Sequence, residues 1–167
     1  MRAPADDPLA VLLLPGRLEG LALEAHARDL LSIPRVVAVE PPRLRPLRSL
    51  RDAVSLRQTR RLRFPGQPRL LLLYHPAQYP LARALCACHE DLELWYVTPG
   101  RGALETAGQA HARELLVFDE LARERARQVL TATEGGLDAA PLRARLRELD
   151  VINPHAFVPS PRRPRRW

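Results

Sequence analysis

The chain contains no lysine: all 26 of its basic residues are arginine. It is also poor in aromatics (5%), in glycine (8 residues) and in cysteine (2 residues) for a length of 167. Each shortage excludes something. With so few aromatic rings, a core has to be built from leucine, valine and alanine. That is feasible, because 46% of the chain is hydrophobic and the length suits one domain. Cys86 and Cys88 lie two apart, a spacing that sends them to different faces of a helix. They therefore neither share a metal nor bridge each other, and they read as small fillers in a reducing cytoplasm. The segment Pro15 to Gly20 holds only two glycines and matches neither a dinucleotide fingerprint nor a Walker loop. Apolar runs are only a few residues long, too short to span a bilayer, and Met1 to Pro8 lacks the apolar core of a signal peptide. No Ser/His/Asp order, metal-ligand spacing or paired-carboxylate motif stands out. The residues alone therefore point to no metal, no cofactor and no catalytic centre.

What is present in excess is positive charge. The formal net charge is +7 and the sequence pI about 10.8. Such a balance invites a polyanion reading. Against it, an arginine-only set beside abundant leucine, alanine and proline looks like coding bias, and four arginines fall in the final seven residues. Nucleic-acid binding is accordingly the weakest of the functional readings.

Along the chain, short apolar runs alternate with helical spacing. Strands are expected at 10–14, 36–39, 70–74, 93–97, 129–133 and 151–153. Helices are expected at 18–31, 46–62, 80–89, 111–127 and 141–149. The leucine run from Leu70 has no polar alternation, the mark of a strand covered on both faces. Strand and helix in repeated alternation predict an α/β domain: an open parallel sheet of about six strands with helices on both faces. In such sheets ligands sit beyond the carboxyl ends of the strands. The corners there are Pro15-Gly16, Glu40-Pro41, His75-Pro76, Val97-Thr98, Glu134-Gly135 and Asn153-Pro154.

The residues at these corners resemble a known group. Pro15-Gly16-Arg17 after the first strand, V-V-A-V-E-P-P at 36–42 and L-L-L-Y-H-P-A-Q-Y-P-L-A-R-A-L at 71–85 resemble the acceptor-side domain of bacterial glycosyltransferases of the GT-B architecture, family-4-like. V-L-T-A-T-E-G-G-L at 129–137 is similar to a strand and turn of that group, with Thr133 where a serine is usual. V-I-N-P-H-A-F-V-P at 151–159 resembles the strand from which those enzymes cross into their second domain. The likeness covers most of the chain but consists of soft motifs, and their order carries it. It implies a single Rossmann-like domain over 1–158; the Pro/Arg tail over 159–167, with nothing to bury except Trp167, is expected to be disordered. It also implies an acceptor-binding half without the nucleotide-sugar domain, inactive by itself. Two departures bear on this: the donor loop is reduced to Gly16, and Ala156 stands where a glycine is expected.

The candidate ligand-binding residues are Gly16, Arg17, Glu40, His75, Gln78, Tyr79 and His155. His75 ends a strong strand and reads either as a ligand contact or base, or as a plain strand-end cap. Glu40 can bond a hydroxyl, as acids do at that place in dinucleotide folds, or serve as a surface acid. His155 matters only where a second domain faces it. His26 and His111 read as surface or core histidines. The expected partners are a sugar or lipid-linked acceptor and a separate donor-binding domain or subunit. The arginine-rich segment with Arg48, Arg51, Arg57, Arg60 and Arg61 suits peripheral contact with the inner membrane face in a cytoplasmic protein. Two other classes stand beside this reading: a non-catalytic Rossmann-like module that binds a ligand or partner, and an Arg-tailed nucleic-acid binder.

Overall fold

In the computed structural model, the structure describes residues 8–14, 21–39, 67–99, 112–133 and 135–152. Strand β1 spans Ala10–Leu13 and helix α1 Leu21–Leu31, followed by β2, Val36–Val39. Strand β3, Leu70–Leu73, runs through a 3-10 turn, Pro76–Gln78, into α2, Tyr79–Cys88. Then come β4, Glu93–Thr98, α3, Ala112–Arg125, β5, Gln128–Thr131, and α4, Ala140–Ile152. The five strands form one sheet in the order β2-β1-β3-β4-β5, with every pairing parallel. The chain is therefore an α/β protein with a Rossmann-like, doubly wound sheet. Its order is that of flavodoxin-type sheets rather than the 3-2-1-4-5-6 of dinucleotide-binding folds.

Two cores lie against this sheet, one on each face, because successive side chains of a strand point to opposite sides. Ala10, Leu12, Leu70, Leu72, Tyr74, Trp95 and Val97 meet α1 and α4 on the first face. Val11, Leu13, Leu71, Leu73, Leu94 and Tyr96 meet α2 and α3 on the second. Every residue of β1 and β3 is buried, which is why their sequences show no alternation. The outer strands are only partly covered, as the exposed Ala38 and Thr131 show.

Polar groups fasten the helices to the sheet. On the second face the Tyr96 hydroxyl donates to Asp119 Oδ1 at 2.7 Å, and Arg123 Nε donates to Asp119 Oδ2 at 2.8 Å. Asp119 is 1% exposed, so both bonds are needed to hold a carboxylate there. On the first face Glu93 starts β4 and accepts from Arg127 Nη1 at 2.8 Å and from Arg145 Nε at 3.1 Å. A second bond from Arg145 Nη2 makes that pair bidentate and joins α4 to the sheet.

The expected strand at 151–153 is replaced at its start by helix: Val151 and Ile152 are the last two residues of α4. The reason is visible in the helix itself. Leu142, Leu146 and Leu149 are buried at helical spacing, and continuing that ladder outweighs the weak strand preference of two β-branched residues. The described residues hold five strands, and Asn153 lies beyond them. The helix expected at 46–62 and the tail at 159–167 also fall outside the described residues. No described helix is long and apolar enough to cross a membrane.

Candidate functional site

All five strands point the same way, so their carboxyl ends share one edge. The strand order reverses between β1 and β3. After β1 the chain enters α1, whose Leu23, Ala27 and Leu30 join the first core. After β3 it enters α2, whose Tyr79, Leu81, Ala82 and Leu85 join the second. Connections that leave adjacent strands for opposite faces leave a crevice between them, the usual ligand position in doubly wound sheets.

The residues after β3 build the described wall of this crevice. His75 is half-buried and extended (φ −143°, ψ 133°), and it caps the 3-10 turn. Its Nδ1 accepts from the Ala77 amide at 3.2 Å, which places the proton of a neutral ring on Nε2. Pro76 in the first turn costs the helix no hydrogen bond. Gln78 follows; its amide donates to the His75 carbonyl at 3.0 Å, while its buried Oε1 has no hydrogen-bond partner among the described residues. Tyr79 turns the other way. It is 2% exposed with its ring 6.3 Å from that of Phe118, so it belongs to the second core rather than to the crevice wall. Of the seven candidate residues, the structure thus brings His75 and Gln78 to the edge and places Tyr79 in the core. Gly16, Arg17, Glu40 and His155 lie outside the described residues.

Two residues absent from that set complete the picture. Tyr74 immediately follows β3 and is in phase with Leu70 and Leu72, which sends its ring into the first core. His26 reaches it from α1; the ring centroids are 6.1 Å apart and tilted by 46°. Tyr74 is 2% and His26 8% exposed, yet neither the Tyr74 hydroxyl nor His26 Nε2 has a hydrogen-bond partner among the described residues. Burial pushes the Tyr74 phenol well above its ordinary range. Burial also lowers His26, with Asp29 acting in the opposite sense and Arg143 in the same one, so its ring is held neutral near pH 7. The one sequence sign of this pair is a tyrosine that continues the inward phase of an all-leucine strand.

Beyond the crevice, Cys86 is half-buried with its thiol pushed up to about 11 by burial, and Cys88 is exposed. A thiol so rarely ionised is a filler and not a nucleophile. No group of three His, Cys, Asp or Glu among the described residues is placed to hold a metal ion. At the far corner, Thr133 and Gly136 are joined by paired backbone bonds of 2.9 and 3.0 Å. Gly136 sits there at φ +114°, where a side chain would be strained.

No family model matches the chain, and no match to a curated protein or to a solved structure was found.

Proposed function

We propose that this chain binds a hydroxyl-bearing acceptor at the crevice between β1 and β3, as the acceptor-side domain of a glycosyltransferase. The observation that carries the reading is a set of buried polar atoms at the end of β3 without a hydrogen-bond partner among the described residues: Gln78 Oε1 on the turn, and the Tyr74 hydroxyl and His26 Nε2 behind it in the first core, beside the reversal of strand order. A buried hydroxyl without a partner costs about 1–3 kcal/mol, so a native fold keeps one where something compensates. A ligand hydroxyl is a suitable complement. The phenol can donate to it, and a neutral imidazole can donate or accept without bringing a buried charge. Gln78 Oε1, a third orphan acceptor, suits a second hydroxyl from the half-buried wall. The corner motifs direct this towards a sugar or lipid-linked acceptor, and a separate donor-binding domain or subunit would supply the activated sugar. The chain's own residues would bind and orient the acceptor, which is itself a large share of catalysis in a two-substrate reaction.

Tyr74→Phe tests this. Removing an orphan hydroxyl leaves no group stranded, so the variant should match or exceed the parent in stability by up to about 1 kcal/mol. Its affinity for a saccharide acceptor, measured by calorimetry over a panel of mono- and disaccharides, should fall by about tenfold, one hydrogen bond's worth. A Tyr74→Phe chain that is less stable and binds as before would remove the basis for the site. Turnover on adding a sugar nucleotide and a donor-binding partner separates a transferase domain from a module that only binds.

A further inference from the structure

Of the three side chains near the end of β3 that leave a buried polar atom without a described partner, only one can change its charge near neutral pH. Gln78 does not titrate, and burial keeps the Tyr74 phenol neutral well above that range. His26 is the exception. Its ring reaches from α1 against the first core, 8% exposed and 6.1 Å from the ring of Tyr74.

The charged and titratable groups around this imidazole are few. Its own helix supplies Asp29, one turn further on; α4 supplies Arg143, and Tyr74 follows β3. Strands β1 and β2 give only apolar side chains to this core, Ala10, Leu12 and Val36. Asp29 is the one carboxylate of the group, and it is paired with Arg143. A proton on His26 would thus meet a carboxylate already engaged, and a buried charge without its own partner is costly. In keeping with this, burial draws the titration of the ring below its ordinary 6.5; Asp29 opposes the shift and Arg143 adds to it.

The hydrogen bonding of the ring turns on the same proton. A neutral imidazole keeps one nitrogen as an acceptor, whereas an imidazolium has two donors and no acceptor. Nε2 is the buried nitrogen, so a ligand hydroxyl can donate to it only while the ring is neutral. The plain alternative is a structural histidine satisfied by a buried water, which would link no ligand to pH. We propose, on the basis of the acceptor reading, that the site is gated by one proton: it holds a hydroxyl-bearing ligand while His26 is neutral and releases it when His26 is protonated.

Calorimetry with glucose, mannose, galactose and maltose, from about pH 8 to about pH 5 at constant ionic strength, tests it, with circular dichroism checking the fold at each pH. For the sugar that binds best, affinity should be constant above about pH 6.5 and then fall, approaching about tenfold per pH unit as a single proton is taken up. Binding and protonation are reciprocal, so saturating sugar should move the His26 ring titration, followed by NMR in the parent chain, to lower pH. In His26→Gln, whose amide does not titrate, the decline should vanish. Equal affinity at both ends of the range, or a His26 titration that sugar does not move, would overturn the proposal and leave the acceptor reading standing. A decline that persists in His26→Gln would overturn it as well, by assigning the proton to another group such as His75. Absence of sugar binding at every pH would remove the acceptor reading and the gate together.

Discussion

At the scale of single residues, Glu93 is the most heavily engaged carboxylate among the described residues. Burial alone would raise its carboxyl. Hydrogen bonds from Arg145 and Trp95 and the charges of Arg145 and Arg127 outweigh that and hold it below its ordinary value of 4.5. A depressed carboxylate adds stability that is complete above the unfolded value and is lost as pH falls through the folded one. Glu93→Gln should therefore cost about 1–3 kcal/mol at pH 7, the range for hydrogen bonds to a charged group. The difference from the parent should shrink steadily below about pH 4.5. His26 acts in a separate window. Its folded value lies below the ordinary 6.5, so the unfolded chain takes up the proton first and stability declines as pH drops below that point. Chemical denaturation of both chains at pH 7, 5.5 and 3.5 resolves the two. A gap between them that stays constant to pH 3.5 would show that Glu93 acts through packing and not through its charge.

At the scale of elements, much was legible and the exceptions have physical causes. The buried leucine runs placed β1 and β3 to within a residue, because a strand covered on both faces has no polar alternation to misread. The end of α4 was not legible: Val151 and Ile152 favour strand locally, and only the burial of Leu142, Leu146 and Leu149 against the first core decides for helix. The turn after β3 shows the same division. Sequence reading left His75 open between a ligand contact and a strand-end cap, and the structure adds that its ring caps the 3-10 turn that follows. Tyr79, beside it, was expected at the site, and helix phase carries it into the second core instead. The Tyr74–His26 pair was beyond reach, since nothing local states which helix crosses over β3. His75→Ala should cost about 1 kcal/mol, the usual value of a lost cap. His75→Asn keeps an acceptor close to where Nδ1 sits and should recover most of it, as read by urea midpoints. If asparagine restores stability but not saccharide affinity, His75 also touches the ligand; if it restores both, its role is to position the turn.

At the scale of the whole molecule, the two cores share every strand, and this determines how the chain should unfold. Leu72 packs into the first core and its neighbour Leu73 into the second, both in β3, which bonds to β1 on one side and β4 on the other. Neither core can open without exposing the back of the same sheet and breaking the same backbone ladder. Composition and periodicity foretold the layering; the order β2-β1-β3-β4-β5, with the crevice it creates, rests on pairings between distant segments that no local pattern encodes. A chain of this size with one shared sheet should melt in a single step. Trp95, 2% exposed in the first core, is a local probe of one face, and far-UV circular dichroism reports the whole. In a Trp167→Phe background, where Trp95 is the sole indole, the urea transitions seen by fluorescence and by dichroism should coincide. Leu72→Ala and Leu73→Ala should each lower stability by about 2–5 kcal/mol, the range for emptying a buried leucine site. Each should move both transitions together, although only Leu72 lies on the Trp95 side. If Leu73→Ala shifts the dichroism and leaves the Trp95 midpoint in place, the two faces unfold separately and the sheet does not couple them.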